Sequence, residues 1–190
     1  MFDALAFILF VVAFVPYWIG IVKGETKPAK ATWAIWAAVD GLICVSMMLK
    51  HTENGQIIAA VVCASMTAAL AIKFGTPGWT KTDKRCFAGA ILGVALWAIF
   101  QDPLVGQLVS LGVLYLGAYP MLEAAKKDPS QENKLAWILF VLSSMFQLIG
   151  MQRDTVSAVS EPIAFFVIDS FMLYYVLLPP APKTDVVIVQ

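Results

Sequence analysis

Polar positions along this chain come in short clusters, and the residues between them are almost uniformly apolar. Seven apolar stretches result, at 2–22, 32–49, 56–74, 86–101, 104–124, 135–152 and 156–178. Each approaches the roughly 20 residues that an α-helix needs to cross the hydrocarbon of a bilayer. The fourth is the shortest. The runs are continuous and do not alternate with period two, so they predict helices and not the strands of a membrane barrel. The breaks are brief and rich in turn residues: KGETKP, KHTENG, TPGWTKTDK, DP, KKDPSQEN and RDT. The expected fold class is therefore an all-α membrane protein of seven transmembrane helices.

Composition strengthens this reading. Of 190 residues, 60% are hydrophobic and only 14% charged, against about half and about a quarter in soluble domains. So small a domain has no core large enough to hide that excess, and the bilayer becomes the solvent for much of it. The first stretch has no Lys or Arg before it, carries Asp3 and lacks a small-residue cleavage site, so it reads as a retained span and not a signal peptide.

Charge placement adds an orientation. With seven spans, loops one, three and five share a side with the C-terminal tail. Eleven of the thirteen Lys and Arg residues lie in or beside those segments, leaving only Lys50 and Arg153 opposite. The positive-inside rule then puts the N-terminus outside and the tail, 179–190, in the cytoplasm. The few basic residues sit between apolar runs and form no patch for nucleic acid.

The chain also repeats. Sliding it by 104 residues lays Pro16 on Pro120, Lys23 on Lys127, Trp33 on Trp137, Trp36 on Phe140 and Met47 on Met151. Helices 1–3 then correspond to helices 5–7. The expected organisation is a first three-helix bundle at 2–74, a linker helix at 86–101 and a second three-helix bundle at 104–178. Copies that start four spans apart point the same way through the membrane, a parallel repeat.

A 3+1+3 helix count, with a proline late in the first helix of each triplet, resembles the PQ-loop superfamily, which includes the SWEET sugar carriers. The runs GETKPAKATWAIWA, DKRCFAGAILGVALWAIFQDP and AYPMLEAAKKDPSQEN look most like bacterial PQ-loop-like proteins. The resemblance covers nearly the whole chain. It implies two parallel bundles rocking about a midplane solute site, in the inner membrane of a bacterium. One departure stands out: where the family has Pro-Gln, this chain has Pro16-Tyr17 and Pro120-Met121.

A proline inside a helix removes a backbone hydrogen bond and clashes with the carbonyl four residues back. In a membrane the freed carbonyl needs a neighbour, so Pro16 and Pro120 belong inside a bundle, as hinges or as fixed kinks. Trp33 and Trp137 each open a helix, where an indole serves as an interfacial anchor with its N–H wet. Trp36, one turn deeper, suits a cavity wall.

Ionisable residues within spans are functional candidates by default. Asp40 and Asp169 lie midway along helices 2 and 7, too short to reach water. Each needs an inward hydrogen bond, or a wet cavity where it could couple protons. Glu123 and Glu161 lie nearer helix ends, within reach of the headgroups. Gln107 and Gln147 are intramembrane amides whose default use is bonding between helices.

Other chemistries fail on inventory. Cys44, Cys63 and Cys86 form no CxxC pair and read as small hydrophobes. His51 is the single histidine, so neither a histidine metal cluster nor a Ser-His-Asp triad can be assembled. Helix 7 has no lysine for a retinal Schiff base. No metal, cofactor or enzyme activity is expected. The leading function is a small-solute carrier or facilitator, with Trp36, Asp40, Gln147 and Asp169 lining a midplane site and Pro16 and Pro120 as hinges. The alternative is a non-transporting receptor, accessory subunit or pigment-binding scaffold. Partners are the lipid bilayer and a small polar solute, with room for a homo-oligomer.

Overall fold

The structure, a computed structural model, describes residues 1–76, 81–151 and 154–178, without the side chains of Thr82, Asp83, Cys86, Ala90, Pro120 and Gln131. The tail at 179–190, with Lys183, lies outside the described residues, as does Arg153. The chain is all-helical: α1 Phe2–Lys23, α2 Lys30–Leu49, α3 Gly55–Phe74, α4 Lys81–Phe100, α5 Pro103–Lys127, a 3-10 turn Pro129–Gln131, α6 Lys134–Gly150 and α7 Val156–Leu177. Five helices, α1, α2, α3, α5 and α7, are long and apolar enough to cross a membrane. The apolar parts of the other two are shorter, Phe87–Phe100 in α4 and Lys134–Gly150 in α6. Helix α4 starts at Lys81, ahead of the apolar run at 86–101, because nothing in KTDKR breaks a helix and Lys and Arg are good helix formers.

The ends are made by local chemistry. Gly24 takes the left-handed conformation (φ 75°) after α1, so the amides of Glu25 and Thr26 turn back onto the Gly20 carbonyl. Side chains of Asn54, Asp102, Asn133 and Thr155 accept from the first turns of α3, α5, α6 and α7. Each satisfies a backbone N–H that lipid could not.

Helix α1 packs along α6 and α3; α2 packs along α3 and α5; α7 lies against both α5 and α6. Helix α4 rests on the outside of α5 and touches α2. The hairpins leave two ends. At one, the Gly55 amide donates to Asp3 Oδ1 (2.9 Å) and Lys50 pairs with Asp102 (3.6 Å). At the other, the Thr76 amide donates to the Pro28 carbonyl (3.1 Å) and the 3-10 turn leads into α6. Among the described basic residues only Lys50 lies at the first end.

The surface is far more apolar than that of a soluble protein. Ile72 and Ile99 are 75% and 73% exposed, while Gln56, Gln107 and Glu161 are fully buried. An apolar exterior, with the few polar side chains turned inward among apolar ones, is what a bilayer solvent requires. Helices α2 and α6 start at Lys30 and Lys134, the 104-residue offset of the sequence repeat. The caps of α3 and α7, Asn54 and Thr155, are instead 101 apart, because α6 has 17 residues where α2 has 20.

Candidate functional site

Helical spacing gathers aromatic rings at the centre. Phe10 and Phe14 sit one turn apart on α1, and Trp33, Trp36 and Asp40 follow one stripe of α2. Trp137 and Phe140 do the same on α6, as do Phe165 and Asp169 on α7. With Ala60 and Ala64 of α3, Leu114 of α5 and Ile168, these residues line a cavity of about 50 Å³. A water needs roughly 10–15 Å³ by this kind of measure, so the space holds a few waters or one compact chemical group.

The walls are held by edge-to-face contacts. Phe14 and Phe140 centroids lie 4.9 Å apart at 76°, and Trp33 and Trp36 lie 5.2 Å apart at 78°. Such pairs lock rings in place beyond what area burial alone gives. The Trp36 indole donates to the Leu114 carbonyl (3.3 Å). Gly117 makes room for it, since a Cβ there would come within 2.7 Å of Trp36 Nε1.

The two carboxyls of the cavity are held differently. Asp169 Oδ2 accepts from Ser144 Oγ (2.7 Å), which in turn accepts from Gln56 Nε2 (2.9 Å). Gln56 also reaches Ser143 (3.4 Å), and Ser143 donates to the Ala6 carbonyl (2.7 Å). One network thus ties α7, α6, α3 and α1. Asp40 is 4% exposed, and its Oδ1 has no partner among the described residues.

Toward the first end lies a polar layer. Asn54 donates to Glu161 Oε2 (2.7 Å), and Gln107 exchanges hydrogen bonds with Ser157, donating to its carbonyl (2.7 Å) and accepting from its hydroxyl (2.6 Å). Beyond it opens a polar cleft of about 290 Å³, lined by Asp3, Glu53, Asn54 and Gln147 among others.

Of the residues singled out from sequence, Trp36, Asp40 and Asp169 meet in the central cavity. Gln147 does not join them. It lines the cleft, since its position on α6, nearly two turns beyond Phe140, carries it past the cavity toward the first end. Pro16 lies inside α1 between Phe14 and Tyr17. Pro120 falls within α5, its side chain outside the described residues.

Two expectations are corrected. Trp33 and Trp137 are not wet interfacial anchors: both are buried, at 4% and 3% exposed, and both line the cavity. Phe14 and Tyr17 of α1 pack on the Trp33 ring and Phe140 on that of Trp137, and the Trp137 N–H finds Glu132 Oε2 (3.0 Å) in place of water. Glu161 does not reach for headgroups either, because it sits on the buried stripe of α7 and bonds Asn54. Gln56, Asn54 and the intrahelical Pro162 were missed. The signal for Glu161 was its spacing from Ser157, Phe165 and Asp169, which puts all four on one face.

At the helix end outside the spans, burial pushes the Glu132 carboxyl up to about 7, opposed by its bond from Trp137. No family model, curated protein or solved structure matches this chain.

Proposed function

We propose that this chain is a small-solute carrier or facilitator of the PQ-loop type, with seven spans arranged as two parallel three-helix bundles joined by α4. Helix pairing supports the arrangement. Exchanging α1 with α5, α2 with α6 and α3 with α7 turns the contact of α1 with α6 into that of α5 with α2. It likewise turns the packing of α3 on α1 and α2 into that of α7 on α5 and α6.

The observation that carries the reading is the cavity. It lies on the seam between the two triplets, takes wall residues from both, and holds a buried carboxyl from each. A structural core would fill such a space with side chains. At about 50 Å³ it has to widen to pass a solute. Pro16 and Pro120, one in the first helix of each triplet, are the hinges for that movement. The basic end faces the cytoplasm and the N-terminus faces outward, which in a bacterium means the inner membrane.

Two experiments test this. Single cysteines in place of Lys27, Lys81 and Ser130 are expected to label from the cytoplasm, and one in place of Glu53 from outside. Labelling of Glu53 and Ser130 positions from one face would end the seven-span topology. In proteoliposomes, flux of a solute that Asp40→Asn abolishes would establish the carrier. Absence of flux across a broad solute panel would favour the receptor or scaffold reading, which the missing Pro-Gln pairs and the tightness of the cavity also favour.

A further inference from the structure

The composition of the cavity wall points to a class of ligand. We propose that the central cavity binds the head of a small organic cation, a quaternary or tertiary ammonium group, with Asp40 as its counter-ion. The proposal rests on reading this cavity as the solute site.

Three features carry it. The first is the wall itself, where rings from α1, α2, α6 and α7 surround one small space. Aromatic faces attract a desolvated cation through their quadrupoles, and cages of this kind recognise quaternary ammonium groups. The second is Asp40. It is buried, lines the cavity and leaves Oδ1 without a hydrogen-bond partner among the described residues. A buried carboxylate oxygen costs free energy unless something positive or a donor meets it. Asp169, by contrast, is engaged by Ser144. The third is that the cavity lining contains no Lys, Arg or His to neutralise Asp40 from within.

Other ligand classes fit this wall less well. Hard metal cations need six or more oxygen ligands, and the cavity offers two carboxyls among apolar groups. No cluster of metal-ligating residues occurs among the described residues. An anion would meet two acidic groups and no base. A sugar needs many hydrogen-bonding partners, and beyond the two aspartates the lining is aromatic and aliphatic apart from the tryptophan N–H groups, of which Trp36 and Trp137 are already bonded. An ammonium head with methyl groups asks for rings and one carboxylate.

The test uses the full chain in lipid nanodiscs and the fluorescence of the tryptophans lining the cavity. The probes are choline and 3,3-dimethylbutan-1-ol, its uncharged carbon isostere. Choline is expected to change the emission saturably, and the isostere to act at least tenfold more weakly. Asp40→Asn should cut the choline affinity tenfold or more and leave the isostere unaffected, while Asp40→Glu restores part of the binding. Equal responses to the two probes, or no saturable response to choline, would overturn the proposal without needing any variant to fold. Flux separates it from the carrier reading. Choline binding without flux would keep the site and discard the carrier. Flux of neutral solutes with no choline binding would keep the carrier and discard the ammonium site.

Discussion

Asp40 and Asp169 line the same cavity, are equally buried and carry the same side chain, yet the protein treats them as different groups. Asp169 ends a chain of hydrogen bonds through Ser144, Gln56 and Ser143 that spans four helices. Asp40 faces aromatic rings with one oxygen unpartnered. The 104-residue sequence offset places Ser144 at the position of Asp40. The position that carries an acid on α2 therefore supplies, on α6, the hydroxyl that holds Asp169. A satisfied buried polar group rigidifies its surroundings, and an unsatisfied one is a cost that binding could relieve.

The largest expected effect separates these two acids directly. Asp40→Asn should reduce ammonium binding tenfold or more, and Asp169→Asn by no more than about threefold, about 0.7 kcal/mol or less for the second. Fluorescence titration of the two variants checks this, and the opposite ranking would reverse the roles assigned here. Their stabilities should rank the other way. Asp40→Asn is expected to melt no lower than the parent, because it removes no bond from Oδ1.

Gly117→Ala attacks the Asp40 side through its neighbour. The new methyl meets the Trp36 indole, which is packed and has little freedom to move. Overpacking of this kind costs about 1–3 kcal/mol, and thermal unfolding in detergent reads it. A melting temperature unchanged by this substitution would mean that the cavity wall is looser than its ring contacts imply.

Ser144→Ala tests the Asp169 side. It strips the Ser144 donor from Oδ2 and interrupts the network, for a loss of about 0.6 kcal/mol on the average for hydrogen bonds within membranes. Gln56→Leu should cost a similar amount, and the double variant less than the sum, since the two residues share one chain of bonds.

A third carboxyl, outside the spans, gives a pH dependence. Glu132 is held near 7 in the folded protein, above its ordinary value near 4.5. A raised value means that the folded state holds the proton more tightly than the unfolded one. Its contribution is then full below about 4.5 and falls away as pH rises through about 7. Glu132→Gln should flatten that part of the stability profile between pH 5 and 8. A decline of unchanged size in the variant would assign the dependence to another group.

Much of this was legible in the chain. Span positions came from apolar length, helix ends from KGETKP and KKDPSQEN, and the depth of Trp36, Asp40 and Asp169 from their distance along each run. One depth and several faces failed. Gln147 reads as midplane, but it stands nearly two turns beyond Phe140 on the same face of α6 and lines the polar cleft at the first end. Trp33 and Trp137 begin their helices, as an interfacial anchor does, but both are buried and line the cavity. Glu161 stands near a helix start and Gln56 at one, and only the neighbouring helices bury them.

The sequence by itself determined that this protein is helical, how its hairpins follow one another and which end is basic. Those are one-dimensional properties: a bilayer has one thickness, and every backbone group within it has to be satisfied inside its own helix. Rotation of each helix about its axis is a different matter. Lipid is as apolar as Leu, so a helix that is apolar all round carries no hydrophobic stripe to say which side faces inward. Packing of α1 on α6 and of α2 on α5 made that choice. It brought the rings together around Asp40, gave Asp169 its serine and left Asp40 without a partner.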